Sequence, residues 1–311
     1  MGAERSRGTY DAIVVGGGPA GLSAGLWLAR YRKRVLVVDS GEQRNRWVEH
    51  AHGYLGSDPV APGDLVSRAR SQLLTYDEAA LREGRARRAR REEDGSFTVD
   101  VDGEELSARR IVLALGVEDR FPEVEHFFDH YGASVFHCPT CDGYEARDRS
   151  VVVFGWSQQV TGFALTLLGW AAGVTVVTDG RRFEGDARHR LELEANDVPV
   201  LEEEAVELLG ERGRLEGVRF ASGQHLACEL AFFSIAHEPR TELAEALGCA
   251  LTEEGCIEVD DEGATSVEGV YAAGDVTPGL QLLQVAAAKG TVAGVGCAQS
   301  LPSPDVIGTS A

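Results

Sequence analysis

A glycine-rich turn near the start of the printed sequence constrains the fold more than any other feature. A short apolar stretch predicted as a strand precedes the turn, and a segment with the apolar period of a helix follows it. The turn consists of Gly16, Gly17, Gly18, Pro19, Ala20 and Gly21. A second apolar strand then leads into Asp39, which completes a strand–helix–strand unit of the length typical of nucleotide-binding domains.

Each glycine of the G-x-G-x-x-G pattern has a mechanical role in binding a dinucleotide. Gly16 permits the tight turn, Gly18 lets the backbone approach a pyrophosphate, and Gly21 lets the helix pack closely on the strand. The exposed N–H groups at the N-terminus of the helix then face the phosphates. In such units, a carboxylate as far along the sequence from the glycine turn as Asp39 accepts hydrogen bonds from a ribose hydroxyl. The sequence therefore predicts a dinucleotide-binding unit of the α/β class.

A second strand–helix–strand pattern occupies residues 151–178, with its helix predicted at 160–172. Its glycine turn is incomplete, because Trp156 follows the first glycine where a pyrophosphate needs bare backbone. Downstream, Asp179 would repel the 2′-phosphate of NADPH, although two arginines that follow it could partly offset this charge. We therefore expect weak binding of NADPH, and a preference for NADH if any pyridine nucleotide binds.

Two of the six cysteines form the motif that carries chemistry. Cys138 and Cys141 form a C-x-x-C pair, and two thiols at this spacing can close a small disulfide ring and reopen it by exchange. A zinc site would need a second such pair or paired histidines, and the sequence has neither. The remaining cysteines are scattered and are predicted to be packed thiols: Cys228, Cys249, Cys256 and Cys297.

Composition and hydropathy narrow the classes of partner and location. A formal net charge of -20 disfavours nucleic acid and anionic membranes as partners. The apolar stretch at 12–29 is broken by the glycine turn, so no membrane span or secretion signal is expected. We expect a cytoplasmic protein, in which thiols stay reduced unless they are catalytic. The polar start at 1–9 and the tail from Pro302 are predicted to be loose.

Taken together, the residues resemble the thioredoxin-reductase-like flavoproteins over nearly the whole chain. Four segments carry the resemblance: the Gly16–Gly21 turn, Cys138-Pro139-Thr140-Cys141-Asp142-Gly143, Thr265-Ser266 leading into Ala273-Gly274-Asp275, and Gln284-Val285. The resemblance implies an α/β fold with two Rossmann-like nucleotide-binding domains, the second inserted into the FAD-binding domain. By position, the FAD-binding domain would occupy residues 1–118 and 240–311, and the insert would occupy 119–239. Members of the family are usually homodimers, so we expect a homodimer.

The same resemblance implies roles for individual residues. Cys141 would lie against the flavin, Cys138 would exchange with the substrate, and Asp142 would relay a proton as general acid and base. His137, directly before the first cysteine, is an alternative proton carrier or a local helper. The positions that would hold FAD are Gly16, Gly18, Pro19, Ala20, Gly21, Asp39, Gly274, Asp275, Gln284 and Val285.

The incomplete second turn leaves the direction of electron flow open. We favour oxidation of a small-molecule dithiol to a disulfide, with electrons passing through FAD to oxygen, as in one subgroup of the family. One alternative is an NAD(P)H-dependent thioredoxin reductase with an atypical nucleotide site, acting on a thioredoxin-like protein. Another is a ferredoxin-linked reductase, which is disfavoured because both proteins would be acidic. A flavin-binding sensor without turnover is disfavoured by the presence of Cys138, Cys141 and Asp142 together.

Overall fold

The computed structural model describes residues 9–302, so the terminal segments predicted to be loose lie almost entirely outside the described residues. The strands are β1 Tyr10–Val15, β2 Val35–Asp39, β3 Ala79–Glu83, β4 Ala86–Arg91, β5 Phe97–Val101, β6 Glu104–Leu113, β7 Val117–Arg120, β8 Val135–Phe136, β9 Ser150–Phe154, β10 Gly173–Val177, β11 Val200–Leu201, β12 Ala205–Glu211, β13 Arg214–Phe220, β14 His225–Leu226, β15 Leu230–Phe233, β16 Ala236–Pro239 and β17 Val270–Ala272. The helices are α1 Pro19–Arg30, α2 Pro62–Leu73, α3 Phe127–His130, α4 Pro139–Asp142, α5 Gln159–Leu167, α6 Ala187–Ala195, α7 Glu242–Leu247 and α8 Leu283–Gln299. Short 3₁₀ helices lie at Arg44–Trp47 and Tyr144–Ala146.

The chain divides into two compact units. The first unit comprises the residues up to Arg46, Gly63–Glu118 and the residues from Glu238 onward. The second unit comprises Trp47–Pro62 and Asp119–His237. The short segment Trp47–Pro62 therefore groups with the second unit, although its place in the sequence assigns it to the first part of the FAD-binding domain.

Local contacts explain why this short segment belongs to the second unit. The ring of Trp47 lies 5.1 Å from that of Phe128, centroid to centroid. The backbone N–H of Glu49 donates to the carbonyl of Gly132 at 3.0 Å, and the guanidinium of Arg212 contacts the Glu49 carboxylate at 2.8 Å. These partners are distant in sequence, so no local sequence pattern predicts the contacts.

The first unit is built on a seven-stranded sheet, counted over residues 9–302, with the order β3-β2-β1-β6-β5-β4 and with β17 also paired to β6. Strands β1, β2 and β3 pair in parallel with one another, and β1 is parallel to β6. Ile13 and Val14 on β1 are completely buried, because parallel strands covered by helices are apolar on both faces. The predicted α/β class is confirmed, and the glycine turn follows the carboxyl end of β1.

Helices α1 and α8 of the first unit pack with their backbones almost in contact. A Cβ atom added at Gly290 would lie 2.0 Å from the carbonyl oxygen of Ala20, and one added at Gly294 would lie 2.7 Å from that of Ala24. Only glycine allows so close an approach at these two positions. The packing fixes α1 and, with it, the turn that precedes the helix.

The edge strand β4 of the first unit is a basic run with the sequence Ala-Arg-Arg-Ala-Arg-Arg. Arg90 contacts Glu105 at 2.6 Å, and Arg91 contacts Glu268 at 3.3 Å. These ion pairs are solvent-exposed, as expected for a charged strand that discourages pairing with another chain. The run is therefore a solvated edge of the sheet.

The second unit contains a five-stranded parallel sheet, with the order β11-β10-β9-β15-β8 among the described strands. A smaller antiparallel sheet of β12, β13 and β14 accompanies it, and β7 pairs with β16. Helix α5 ends at Leu167, earlier than predicted, because the apolar residues that follow it form a turn in which Trp170 donates its backbone N–H to Leu167. This unit is the second Rossmann-like domain.

Residues 9–302 contain neither a membrane-crossing helix nor a cluster of metal-ligating side chains. None of their helices combines the length and the apolar character that crossing a membrane requires. In the same range, no group of three or more histidine, cysteine, aspartate or glutamate side chains is arranged to hold a metal ion.

Candidate active site

The first glycine turn has the geometry of a phosphate-binding loop. Gly16 has a φ of 117°, and a Cβ atom there would lie 2.0 Å from the carbonyl oxygen of Ala114. A Cβ atom at Gly21 would lie 1.8 Å from the carbonyl oxygen of Gly16. At Gly18, by contrast, an added Cβ would meet nothing within 4 Å. Two glycines thus shape the turn, and the third exposes backbone to open space.

Helix α1 starts at this turn without a side chain over its N-terminus. Gly18 precedes the helix and Pro19 is its first residue, and neither supplies a capping hydrogen bond. The side chain of Ala20 is buried. The first backbone N–H groups of a 12-residue helix therefore remain available, together with the positive end of the helix dipole. Such a terminus suits an anion, above all a phosphate.

Asp39 lies at the carboxyl end of β2, and its carboxylate is buried. It accepts hydrogen bonds from the backbone N–H of Gly41 at 2.8 Å and from the amide of Gln43 at 3.0 Å, and it contacts the guanidinium of Arg70. The Nε atom of Arg70 is buried and has no hydrogen-bond partner among residues 9–302. A polar ligand group beside Asp39, such as a sugar hydroxyl, would satisfy this donor.

The predicted Gly274 and Asp275 lie on the loop after β17. A Cβ atom at Gly274 would lie 2.8 Å from the Cβ of Ala20, so this loop reaches the first turn of α1. The carboxylate of Asp275 lies 3.6 Å from the guanidinium of Arg44. Burial lowers the pKa of Lys289 on α8, and the charge of Asp275 partly opposes that shift. The loop therefore lies against the glycine turn and carries Asp275, whose charge interacts with Arg44 and Lys289.

Gln284 and Val285 lie in the first turn of α8, where Gln284 is exposed and Val285 is half-buried. Leu282 precedes this helix, and no side chain caps its N-terminus. All ten residues predicted to hold FAD thus lie in the first unit, at the starts of α1 and α8 and at the ends of β2 and β17.

Cys138 and Cys141 form a disulfide in the second unit, with their Cα atoms 5.2 Å apart. Cys138 precedes α4, and its sulfur accepts a hydrogen bond from the backbone N–H of Cys141 at 3.1 Å. Both cysteines are half-buried. A Cβ atom at Gly143 would lie 2.4 Å from the carbonyl oxygen of Pro139 and 2.6 Å from the ring of Trp170, so the motif requires glycine there.

Asp142 follows the second cysteine and is 5% exposed. Burial, and secondly the negative charge of Glu145, raise the pKa of the Asp142 carboxyl to about 7. A carboxyl group in this range is both a competent proton donor and a competent acceptor at neutral pH.

Glu145 also contacts a histidine from the short segment of the second unit. One carboxylate oxygen, Oε1, lies 3.4 Å from Nε2 of His52, whose Nδ1 lies 3.2 Å from a carboxylate oxygen of Asp58. The other oxygen of Glu145, Oε2, is buried without a hydrogen-bond partner among residues 9–302. The ring of His52 therefore stands between the carboxylates of Glu145 and Asp58.

His137 is held by aromatic side chains. Its Nδ1 lies 3.1 Å from the hydroxyl of Tyr131, and its ring centroid lies 6.0 Å from that of Phe233. The wider aromatic group of the second unit comprises Trp47, Phe121, Phe127, Phe128, Tyr131 and Phe233. His137 is thus held at the junction between β8 and α4. This position fits an accessory role beside the cysteines, which is one of the two roles considered above.

The second glycine turn is occupied by the protein's own side chains. The guanidinium of Arg181 lies over the ring of Trp156 at 3.9 Å, and the carbonyl of Trp156 accepts a hydrogen bond from Glu184 at 2.8 Å. The carboxylate of Asp179 accepts the backbone N–H of Ala205 at 3.0 Å, and burial raises the pKa of Asp179. The residues that would meet a pyridine nucleotide therefore already have protein partners.

An open cavity of about 630 Å³ lies within the second unit beside α4 and α5. Its lining is mixed rather than apolar and comprises Pro139, Thr140, Gln158, Gln159, Thr161, Gly162, Phe163, Thr166, His189, Glu192 and Ser234. The volume falls within the range of about 300–1,000 Å³ that is usual for small-molecule sites.

Sequence reasoning missed four residues that the structure adds to these sites. Arg70 contacts Asp39, and Arg44 contacts Asp275, but no sequence spacing signals a contact between such distant residues. No local sequence pattern indicates a role for His52 either. Glu145 had a signal, because it is a second acid three residues after the predicted proton carrier.

Several known proteins are similar to this chain in sequence and fold. Residues 10–290 match the profile of a family described as pyridine nucleotide-disulphide oxidoreductase. "Thioredoxin reductase tcpT" of Claviceps purpurea (strain 20.1) is 30% identical over 306 residues, which cover 91% of this chain and 92% of that protein. The crystal structure of HlmI has a TM-score of 0.89 and 36% identity, covering 94% of this chain and 93% of HlmI. An oxidoreductase from Agrobacterium tumefaciens has a TM-score of 0.84 and 35% identity, covering 94% and 98% respectively.

Proposed function

This chain belongs to the pyridine nucleotide-disulphide oxidoreductase family, an FAD-dependent enzyme family, and we propose that it oxidises a small-molecule dithiol to a disulfide through Cys138 and Cys141. The predicted family, the two Rossmann-like domains, the enzymatic nature and the FAD cofactor are confirmed by the family match and the relatives. The substrate, the direction of electron flow and the role of each residue belong to the proposal.

The residues of the first unit fit FAD. We propose that the backbone at Gly18 and the uncapped start of α1 hold the pyrophosphate, since that backbone faces open space. Asp39, with the unpartnered donor of Arg70 beside it, would hold the adenosine ribose. Asp275 and the start of α8 would serve the flavin half. When bound, FAD supplies an acceptor for the two electrons of a dithiol.

The occupied second glycine turn is the observation that carries the proposed direction. A reductase fed by NADPH needs bare backbone for the pyrophosphate and free arginines for the 2′-phosphate. Here the Trp156 side chain stands at the turn with the Arg181 guanidinium stacked on it. Asp179 adds an unfavourable charge contact, which costs on the order of 1 kcal/mol. An enzyme that takes electrons from its dithiol substrate does not need this site.

The chain's own residues account for the thiol–disulfide chemistry. One substrate thiol attacks the sulfur of Cys138, the Cys138–Cys141 bond breaks, and Cys141 leaves as a thiolate. Asp142 accepts the proton of the attacking thiol, because its pKa of about 7 allows it to act as base near neutral pH. The second substrate thiol then attacks the substrate sulfur of the mixed disulfide. The sulfur of Cys138 leaves and takes up the proton of that thiol.

These exchange steps release the substrate disulfide and leave two electrons and two protons on the protein. Dioxygen is the proposed terminal acceptor, and two electrons with two protons convert it into hydrogen peroxide. The cavity beside Pro139 and Thr140 supports a substrate of small-molecule size. Its mixed lining implies that the substrate carries polar groups as well as the dithiol.

A second candidate function is reduction of a thioredoxin-like protein, because the Claviceps relative is named a thioredoxin reductase. In that case electrons would come from NAD(P)H bound in a way that displaces Arg181 from Trp156. The half-buried cysteines would then meet a protein rather than a small molecule.

We further propose that the enzyme works in the cytoplasm as a homodimer. Cys228, Cys249, Cys256 and Cys297 are all free thiols, as expected where the surroundings are reducing. Sedimentation of the purified protein measures its oligomeric state directly.

Anaerobic stopped-flow reduction tests the direction of electron flow. The flavin-loaded enzyme is mixed separately with dithiothreitol, NADH and NADPH, and the loss of flavin absorbance is followed. We expect the dithiol to reduce the flavin fastest, and a Cys138→Ser variant to lose that reaction. Rapid reduction by micromolar NADPH would instead support the thioredoxin reductase.

A further inference from the structure

We propose that Glu145, anchored by His52, is a positioning residue that controls when Asp142 takes up and releases its proton. This inference rests on the proposed function, in which Asp142 accepts the proton of the attacking thiol. It assigns a role to two residues that take no direct part in the sulfur chemistry.

The chain geometry places the two acids together. Asp142 ends helix α4, and Glu145 lies on the 3₁₀ helix Tyr144–Ala146 that follows directly. Gly143 joins them, and a Cβ atom there would lie 2.6 Å from the ring of Trp170, so this ring lies directly against the turn. Glu145 is therefore kept at a fixed position relative to the carboxyl group that it influences.

The surroundings of Glu145 keep its charge close to Asp142. One oxygen of Glu145 is buried without a hydrogen-bond partner in the described part of the chain, whereas the side chain as a whole is 32% exposed. The charge of this partly buried carboxylate is screened less than that of a fully solvated one. Burial contributes most to the raised pKa of Asp142, and the charge of Glu145 comes second.

His52 anchors the other oxygen of Glu145. The ring stands between two carboxylates, with Nε2 at 3.4 Å from Glu145 and Nδ1 at 3.2 Å from Asp58. Both ring nitrogens therefore face carboxylate oxygens. The segment Trp47–Pro62 thus reaches the 3₁₀ helix that follows α4 in its own unit through this histidine.

Two further charged residues follow Glu145 along the chain. Arg147 and Asp148 contact each other at 3.3 Å and are exposed. Asp148 is a suitable control position, because its side chain is 85% exposed and its φ of 60° is one that asparagine tolerates. Neutralising Asp148 changes the charge of the same loop without touching the contact between Glu145 and His52.

The proposal predicts a shift in the pH dependence of thiol–disulfide exchange. A Glu145→Gln variant removes the negative charge, so Asp142 ionises more readily and acts as base at lower pH. The rising limb of the rate should move down by about 0.5–1 pH unit. A His52→Gln variant frees the Glu145 carboxylate to turn towards solvent, which should give a smaller shift in the same direction. In the double variant, the His52 substitution should add nothing.

The test follows the oxidised, flavin-loaded protein during anaerobic reaction with dithiothreitol between pH 5.5 and 9. Samples are quenched with acid, their free thiols are alkylated, and the reduced Cys138–Cys141 pair is quantified by mass spectrometry. Each rate is divided by the wild-type rate at the same pH, which cancels the titration of the probe. For Glu145→Gln this ratio should be about 3 to 5 near pH 6, following the expected pKa shift, and should fall as pH rises.

Glu145→Asp, which keeps the charge, should restore most of the wild-type profile, and Asp148→Asn should not alter it. A ratio for Glu145→Gln that does not vary with pH would overturn the inference. If that variant fails to fold, His52→Gln supplies the decisive measurement, and a profile identical to wild type overturns the inference. The proposed function has its own control, because the ratio of the Asp142→Asn rate to the wild-type rate must fall as pH rises through about 7, where wild-type Asp142 becomes a base. If that ratio does not vary with pH, it is the proposed role of Asp142 that fails.

Discussion

Replacing Asp142 by asparagine should make the protein more stable at alkaline pH while it impairs thiol–disulfide exchange. Asparagine has nearly the same shape as aspartate, so the packing beside Gly143 and Trp170 is preserved. The difference is the charge. In the wild type, the buried carboxyl must ionise within a 5% exposed environment once the pH exceeds its pKa of about 7. The variant never carries that buried charge.

The magnitude follows from the difference between the folded and unfolded pKa. The carboxyl titrates near 3.9 in the unfolded chain and at about 7 in the folded protein, a difference of about 3 units. Because the folded pKa is the higher one, wild-type stability is lost as pH rises from about 4 to 7. The full effect is about 4 kcal/mol, of which about 2 kcal/mol is lost between pH 5.5 and 8.

Urea unfolding of the wild type and of Asp142→Asn at pH 5.5, 6.5, 7.5 and 8 measures this effect. The lowest pH stays above the pI of about 4.8, where solubility is poorest. The advantage of the variant in unfolding free energy should widen by about 2 kcal/mol over this range. A constant difference across the series would refute the argument, since it would mean that Asp142 does not retain its proton on folding. Asp148→Asn serves as the control without a pH-dependent gain.

Four further outcomes follow from the sites. Gly18→Ala should leave the unfolding free energy nearly unchanged but lower the ratio of FAD to protein after purification, whereas Gly16→Ala, at a φ of 117° and against a carbonyl, should destabilise the fold by more than about 1–2 kcal/mol. Flavin released from the wild type should chromatograph as FAD, and recovery of FMN would contradict the dinucleotide site. In spectra of the reduced enzyme, Cys141→Ser should abolish the long-wavelength thiolate–flavin band and Cys138→Ser should keep it; the reverse would exchange the two roles. Steady-state reduction with NADPH should show a Michaelis constant far above the micromolar range because Trp156 stands at the turn, and an ordinary micromolar value would contradict this.

Local sequence patterns were enough to predict the strand–turn–helix elements. The turn at Gly16 was predictable because a φ of 117° and a carbonyl 2.0 Å from an added Cβ leave room for glycine alone. Trp156 was recognisable for the opposite reason, since a large side chain stands where such turns need none. Both signals lie within a few residues of the structure they specify.

Contacts between distant segments were not predictable in this way. The segment Trp47–Pro62 has no pattern that separates it from its neighbours, and it joins the second unit through Phe128, Gly132 and Arg212. His52 came with that segment and so escaped notice. The early end of α5 was missed because the apolar period continues past Leu167, although the backbone there turns.

The close packing of α1 against α8 has a consequence for how the chain is made. Helix α1 leaves the ribosome long before α8, which carries the glycines that receive it, Gly290 and Gly294. The stretch Asp119–His237 is contiguous, so most of the second unit can fold during translation while the first waits for α8. Cofactor capture should therefore follow the synthesis of α8, and a ribosome stalled before residue 283 should carry a folded α4 but no flavin.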